Sequence, residues 1–429
     1  MDDRCQSLRL PNECSRRFSQ NIDTQHLIPE VTMFRPAYDF LSRISQPKSA
    51  RRSQATPPVA RMEALEVRTL LSADVIGRAA DGSVYVGHSD GTQFTNDLAG
   101  TIDPSVTGDF FYEDFNGDGL TDLLVLQENG PNEDTLYFRL MQDDGTFAPA
   151  QIQNIGMDFI DGNQQYLGVG DITGNGFNDL VFMDQDGVGP TLTQKVYTIR
   201  GGNFLHPPVF EVQRTMVAWD FHGLADVDGD NVVEVIARSP LNGGWFRSVG
   251  NAFHSFGGWT QQHDFENVMF GDFNGDGNDD VAGRIKADGR WLVGLSNGHD
   301  RFVSQLFGGW TTNQTFSDVQ VGDFNGDGND DVFGRAANGT LVVGLSNGTS
   351  RFVSQSFGAL STSAGFDEIF VADFNHDGLD DIATKSAGEA WVVGISDGTA
   401  FEKSVWLRWA IGTTWDLVGI GEFGEPIVV

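Results

Sequence analysis

Asp323, Asn325, Asp327 and Asp331 stand at positions one, three, five and nine of the segment Asp323-Phe-Asn-Gly-Asp-Gly-Asn-Asp-Asp331. Oxygen-bearing side chains at alternate positions of a tight loop can converge on one point. A hard cation such as Ca²⁺ needs that arrangement, taking six to eight oxygens at about 2.3–2.6 Å. Glycines at loop positions four and six permit the turn. The pattern occurs six times. Asp114, Asn116, Asp118 and Asp122 form the first loop, and Asp171, Thr173, Asn175 and Asp179 the second. Asp226, Asp228, Asp230 and Glu234 form the third, and Asp272, Asn274, Asp276 and Asp280 the fourth. The Asp323 segment is the fifth, and Asp373, Asn375, Asp377 and Asp381 form the sixth. Position seven varies freely (Leu120, Phe177, Val232, Asn278, Asn329, Leu379), so its expected ligand is the backbone carbonyl. Loop two carries two neutral ligand side chains and should hold its ion most weakly. In loop three Asn231 replaces the glycine of position six, and asparagine tolerates left-handed backbone. The expectation is five or six structural Ca²⁺ ions.

The flanks decide what kind of loop this is. An EF-hand loop ends in a bidentate Glu at position twelve and enters a helix. Here position twelve is Val125, Gly283, Gly334 or Thr384, and the flanks are β-like, as in Val319-Gln-Val-Gly322 and Val332-Phe-Gly334. Each loop therefore joins two strands. Successive first aspartates lie 57, 55, 46, 51 and 50 residues apart. That period fits one four-stranded propeller blade per repeat. One blade reads as strand A over 318–323, B over 331–336, C over 340–345 and D over 351–357, with Asn-Gly turns between. Such pairs between apolar runs are strong hairpin signals.

The chain ends supply a further blade. Asp74-Val-Ile-Gly-Arg-Ala-Ala-Asp-Gly-Ser-Val-Tyr-Val-Gly-His-Ser-Asp-Gly91 parallels Asp331-Val-Phe-Gly-Arg-Ala-Ala-Asn-Gly-Thr-Leu-Val-Val-Gly-Leu-Ser-Asn-Gly348 but lacks a strand A before it. Trp415-Asp-Leu-Val-Gly-Ile-Gly-Glu422 is a strand A whose loop is lost, with Glu422 in place of the first aspartate and Pro426 following. Joining the two gives an all-β, seven-bladed β-propeller with four-stranded blades, closed by a blade shared between N- and C-terminal strands. Closure leaves no open circular edge. The division is a largely disordered leader over 1–73 and the propeller over 74–429.

Charge divides along the same line. Residues 1–68 hold 11 Lys+Arg against 8 Asp+Glu, and the remainder holds 16 against 52. The formal net charge is −33. Such a surface should repel nucleic acid phosphates and anionic lipid. No apolar run approaches the ~18 residues of a membrane span. Cys5 and Cys14, the two cysteines, lie in the leader, so no disulfide framework supports the propeller. Loops of this kind suit millimolar extracellular calcium.

Other repeated residues have structural and chemical readings. Gly-x-Ser-x-Gly occurs at 87–91, 294–298, 344–348 and 394–398. It resembles a hydrolase nucleophile elbow, yet a hairpin turn with no following helix is the better reading. Trp291 and Trp391 share one strand-C position, and Trp259 and Trp310 follow Phe-Gly-Gly. Packing between blades is the first reading, and a stacking platform for sugars the second. Arg78, Arg238, Arg284, Arg335 and Lys385 share a strand-B position and read as structural ion pairs. The histidines do not recur in register, and spacing shows no catalytic dyad.

Two resemblances bear on function. The loop-and-strand repeats over 74–429 resemble the FG-GAP/VCBS repeats of integrin α-chain propellers and bacterial surface proteins. That resemblance implies a calcium-stiffened seven-bladed propeller used for adhesion, protein contacts or sugar binding. Leu65-Glu-Val-Arg-Thr-Leu-Leu-Ser-Ala73 resembles the N-terminal sorting segment of exported planctomycete proteins, with Val67 where proline is usual. The competing reading is a disordered tail, or upstream sequence with Met33 as the first residue. The expected function is a secreted or cell-surface, non-enzymatic module binding an extracellular protein or glycan. A lectin using aromatic pockets between blades is one alternative. A polysaccharide lyase or hydrolase is another, and it would need clustered, non-repeated acids, His or Lys around the channel. Specificity is expected on the divergent loops 127–134 and 183–194.

Overall fold

The computed structural model describes residues 73–424, apart from 128, 130–133, 155–163, 187–192, 203–212, 216–218, 251 and 411–413. The sorting segment up to Ser72, Pro426 and the middles of both divergent loops lie outside the described residues. The rest holds 28 strands and no helix.

Three strands come first: β1 (Asp74–Ala79), β2 (Ser83–Ser89) and β3 (Phe94–Thr101). Blade one is β4 (Asp109–Glu113), β5 (Asp122–Gln127), β6 (Thr135–Arg139) and β7 (Gln151–Asn154). Blade two is β8 (Gln164–Gly170), β9 (Asp179–Asp186), β10 (Thr193–Ile199) and β11 (Gln213–Thr215). Blade three is β12 (Phe221–Ala225), β13 (Glu234–Arg238), β14 (Gly244–Val249) and β15 (Ala252–Gly258). Blade four is β16 (Phe265–Gly271), β17 (Asp280–Ile285), β18 (Arg290–Ser296) and β19 (Phe302–Gly309). Blade five is β20 (Phe316–Gly322), β21 (Asp331–Ala336), β22 (Thr340–Ser346) and β23 (Phe352–Ala359). Blade six is β24 (Phe366–Ala372), β25 (Asp381–Ser386), β26 (Ala390–Ser396) and β27 (Phe401–Arg408). The last strand, β28 (Trp415–Gly421), joins the first three in the order β28-β1-β2-β3. The seven sheets are all four-stranded and antiparallel, and the shared blade is present as expected.

Turn chemistry sets the hairpins. Gly339 follows Asn338 at φ 86°, and a Cβ there would lie 2.3 Å from the Leu360 carbonyl oxygen. Asn338 Oδ1 accepts the Thr340 amide at 3.0 Å and tightens the turn. Strand B is buried on both faces, throughout in β1, β17 and β25, whereas strand C alternates buried and partly exposed residues, as in β18 and β22.

Between blades, the tryptophans lock into glycines. A Cβ on Gly283 would lie 2.7 Å from the Trp259 ring, one on Gly334 2.8 Å from Trp310, and one on Gly77 2.5 Å from Trp409. The strand-B glycine is thus the seat for the ring that ends the preceding blade. Trp245, Trp291 and Trp391 are fully buried and meet Trp259, Trp310 and Trp409 edge to face at centroid distances of 5.1–5.4 Å. Such pairs contribute about 0.5–1.5 kcal/mol beyond burial. The packing reading holds, and these repeated rings have no open face to offer a sugar.

Closure is direct. Asp74 pairs with Gly421, Ile76 with Gly419 and Ala79 with Trp415. A chain ending at residue 410 should lose β28, leave β1 an unpaired edge, and aggregate or unfold at lower temperature. Removing residues 1–60 should leave melting unchanged. Comparing solubility and melting temperature of the two truncations checks this asymmetry.

Candidate metal loops and the latches between blades

In loop five the Asp323 carboxylate gathers the amides of the turn. Oδ1 accepts the Gly326 and Asp327 amides at 2.8 and 3.2 Å, and Oδ2 accepts that of Gly328 at 2.8 Å. Asn325 Oδ1 accepts the Asp327 amide at 2.9 Å, and Asp327 Oδ1 that of Asn329 at 2.9 Å. The first aspartate reaches the position-six amide in every other loop too: Asp114 to Gly119, Asp171 to Gly176, Asp226 to Asn231, Asp272 to Gly277 and Asp373 to Gly378, at 2.6–2.9 Å. Asn231 takes φ 65° in the glycine's place. The expectation of glycine at position four needs one correction. His376 occupies that position in loop six at φ 63°, so the turn tolerates a side chain where its neighbours leave space.

Position nine is the buried ligand. Asp122, Asp179, Asp280, Asp331 and Asp381 are 0 % exposed. Oδ1 of each accepts a backbone amide from beyond strand B: Met141 and Gly201 at 2.9 Å, Ser296 and Ser346 at 2.6 Å, and Ser396 at 2.7 Å. Among the described residues, no group makes a well-formed hydrogen bond to the buried Oδ2 of Asp122 or of Asp179, with the Phe115 amide and the Thr173 hydroxyl near these carboxylates. An orphaned carboxylate oxygen facing other acids is costly, and a cation would satisfy it. Burial, reinforced by the loop's other aspartates, pushes Asp280, Asp331 and Asp381 up to about 8. Burial also pushes Asp122 up to about 7 and Asp179 up to about 6. Asp179 has one charged ligand neighbour, Asp171, which fits its smaller shift.

The loops also join the blades. At position eight, the Asp279 amide donates to the Asp226 carbonyl at 2.7 Å, and Asp279 Oδ2 accepts the Asp226 amide at 2.7 Å. Asp330 repeats both bonds on Asp272, and Asp380 on Asp323. Each pair ties the first loop residue of one blade to the next. The ring closes through the Ala73 amide on the Asp373 carbonyl at 3.2 Å, and through Thr121, whose Oγ1 accepts the Glu422 amide at 2.7 Å.

Gly-x-Ser-x-Gly proves to be the second half of this latch. The Ser296, Ser346 and Ser396 hydroxyls donate to the carbonyls of Val227, Phe273 and Phe324 at 2.6–2.7 Å. Ser89 does the same to Phe374 at 2.7 Å. Each acceptor is position two of the preceding loop, and each of these side chains is fully buried. The four hydroxyls are committed to these bonds, in hairpin turns that no helix follows among the described residues. Sequence reasoning missed the latch. Its signal was the shared recurrence of serine, position-eight Asp and position-two Phe in register.

Four of the five strand-B cations form ion pairs as expected, and Arg78 donates to the Val106 carbonyl at 2.8 Å. Arg284 pairs with Glu266, Arg238 with Asp220, Arg335 with Asp318 at 2.8 Å and Lys385 with Asp367 at 2.9 Å. Arg284 also donates to the Thr311 carbonyl in the link to blade five at 2.9 Å. One histidine pairing was not legible from spacing. His88 Nδ1 lies 2.9 Å from Oδ2 of Asp74, the position-nine residue of the shared blade, and both are buried.

Two cavities stand away from the loops. One of about 540 Å³, at the junction of blade six and the shared blade, is lined by Asp81, Tyr85, Asn96, Arg408, Trp409 and Trp415. Trp409 and Trp415 stack at 4.2 Å, and Tyr85 meets Trp415 edge to face at 5.7 Å. Val84, opposite Arg78, stands in the register position that Trp291 and Trp391 fill opposite Arg284 and Lys385, and Tyr85 is the next residue along, level with Leu292 and Val392. The second, of about 850 Å³, lies on the inner strands and is lined mainly by Phe110, Phe111, Tyr112, Tyr166, Phe370 and Ile420, with Glu113 and Asp109. Burial raises Glu113, and partial desolvation with that carboxylate nearby raises the half-exposed Tyr166.

The FG-GAP-like repeat family model matches residues 114–182 and 323–384, each beginning at the first aspartate of a loop. Those two segments of the seven-bladed propeller thus match FG-GAP-like repeats. Among solved structures, BBS1N in complex with ARL6DN, soaked with mercury, is similar at 10 % identity and a TM-score of 0.41, covering 76 % of this chain and 94 % of that one. The Dos1 propeller is similar at 11 % identity and a TM-score of 0.38, covering 81 % and 77 %. No curated protein matches the chain.

The raised carboxylates give a pH signature in chelator. Their folded pKa values, about 6 to 8, lie above the ordinary aspartate value near 4. The fold then favours the protonated acids, and that stability is complete below about pH 4 and lost as pH rises through about 8. Cation-free protein should therefore resist urea better at pH 5.5 than at pH 8. Urea midpoints across that range check the sign.

Proposed function

We propose that this chain is a calcium-stabilised propeller, exported to the extracellular space or cell surface, that acts as a non-enzymatic binding module for a protein or glycan. The observation that carries the calcium reading is the set of buried position-nine carboxylates, two of them with an oxygen lacking a well-formed hydrogen bond, facing other loop ligands. Bound Ca²⁺ would neutralise them while leaving the latch backbone in place. Positions one, three, five and nine would supply side-chain oxygens, and position seven a carbonyl. A calcium-rich compartment suits such loops, and the resemblance of 65–73 to a sorting segment agrees with export. The binding reading rests on the repeat family and on a ring whose repeated serines and tryptophans are committed to packing.

Anything binding only the native state adds RT ln(1 + [L]/Kd), about 2.7 kcal/mol per site at 100 Kd. Excess EGTA should lower the melting temperature by many degrees, and metal analysis should find several Ca²⁺ per chain. Asp323→Ala should remove one ion. An unchanged melting curve in EGTA, with no metal found, would sink the calcium reading.

The glycan reading is favoured by one observation, the cavity at the shared blade. Its Tyr85 and Trp415 rings are half-buried rather than sealed, and the exposed Asn96, Asp81 and Arg408 supply hydrogen-bonding groups beside them. Flat apolar faces next to such groups suit a sugar ring. A glycan array on calcium-loaded protein should show binding that Tyr85→Ala weakens at least tenfold with melting unchanged. Binding that survives Tyr85→Ala would move the ligand elsewhere.

A further inference from the structure

Loop three departs from the others in charge rather than in shape. Its turn is intact: Asp226 accepts the Gly229 and Asn231 amides at 2.8 and 2.7 Å, as Asp323 accepts those of Gly326 and Gly328. Its side-chain ligands are all acidic, with Asp228 where loops one, four, five and six have asparagine. Oxygens of Asp226, Asp228 and Glu234 converge within 4.8 Å of one another. Arg247 on β14 points into that group. Its Nη1 donates to Asp228 Oδ2 at 2.7 Å and to Glu234 Oε1 at 3.1 Å, with 15 % of its side chain exposed. The same register position in blades four, five and six holds Val293, Val343 and Val393, all fully buried. The residues around the arginine line a cavity of about 240 Å³ that reaches Val196 and Thr198 of blade two.

We propose that Arg247 is the resident cation of loop three, so that this loop stays free of calcium while the other loops bind it. This rests on the calcium reading of those loops. A guanidinium is permanently charged and cannot leave by titration. It already bonds positions three and nine, two of the ligands an ion would need. A divalent ion at the same point would meet a like charge at contact distance in a half-buried site, where repulsion is strong. The extra carboxylate and the arginine are a matched pair that loops four, five and six lack. Blade three thereby keeps its loop ordered when calcium is withdrawn.

Bound Ca²⁺ per full-length chain, by metal analysis after equilibrium dialysis at saturating calcium, tests this in wild type, Asp226→Ala, Arg247→Leu and Asp323→Ala. Asp323→Ala should lose one ion, showing that ordinary loops bind. Asp226→Ala, the same change in loop three, should leave the count unchanged, and Arg247→Leu should gain one ion. Loss of an ion in Asp226→Ala, or an unchanged count in a folded Arg247→Leu, overturns the assignment while leaving the calcium reading intact. No ions in wild type and none in Arg247→Leu overturns both. Should Arg247→Leu fail to fold, the Asp226→Ala count set against Asp323→Ala still decides the matter.

Discussion

The backbone of one aspartate holds each blade to the next. In blades three, four and five the first residue of the acidic loop both donates to and accepts from position eight of the following blade. The residue that opens the candidate ion site is thus also the residue on which the neighbour rests. Anything that splays the loop, including repulsion among its carboxylates, acts directly on the blade junction. Electrostatics of the loops and integrity of the ring are one problem in this protein, and the raised position-nine acids are its visible symptom.

An apolar layer lies beneath the latches. Phe115, Phe273, Phe324 and Phe374, at position two, are fully buried, and all four of their carbonyls receive a donor from the next blade, three of them a serine hydroxyl and Phe115 the Gly202 amide. The ring buries the loop while its carbonyl meets the donor. Farther out, tryptophans close onto strand-B glycines whose missing Cβ makes the room. Polar latch and aromatic lock thus act on the same junctions between consecutive blades. Such a scaffold leaves specificity to departures from the repeat, such as the Tyr85 cavity and the Arg247 loop.

Much of this was legible beforehand because it is local. Alternate acidic ligands, Asn-Gly turns and the 50-residue period each express a short-range rule, and the match between 74–91 and 331–348 announced the shared blade. The ion pairs of Arg284 and Arg335 were also anticipated. The latch was not. Ser346 and Phe273 are 73 residues apart, and their bond exists only because consecutive blades stack. Arg247 escaped notice for the same reason, since it stands thirteen residues from Glu234 and meets it only across a strand pair.

The sequence by itself determined the repeat, the strand order within a blade, the number of blades and which residues place side-chain oxygens in the acidic loops, because these depend on neighbours within a few residues. Only the tertiary structure decided which repeated residues face a junction rather than solvent. It turned a Gly-x-Ser-x-Gly that resembles a nucleophile site into a hydrogen bond donor, and sealed the tryptophans against glycine. It also set a guanidinium among the carboxylates of one loop. The physical reason is that burial and pairing depend on what the adjacent blade presents, and no single repeat contains its own neighbour.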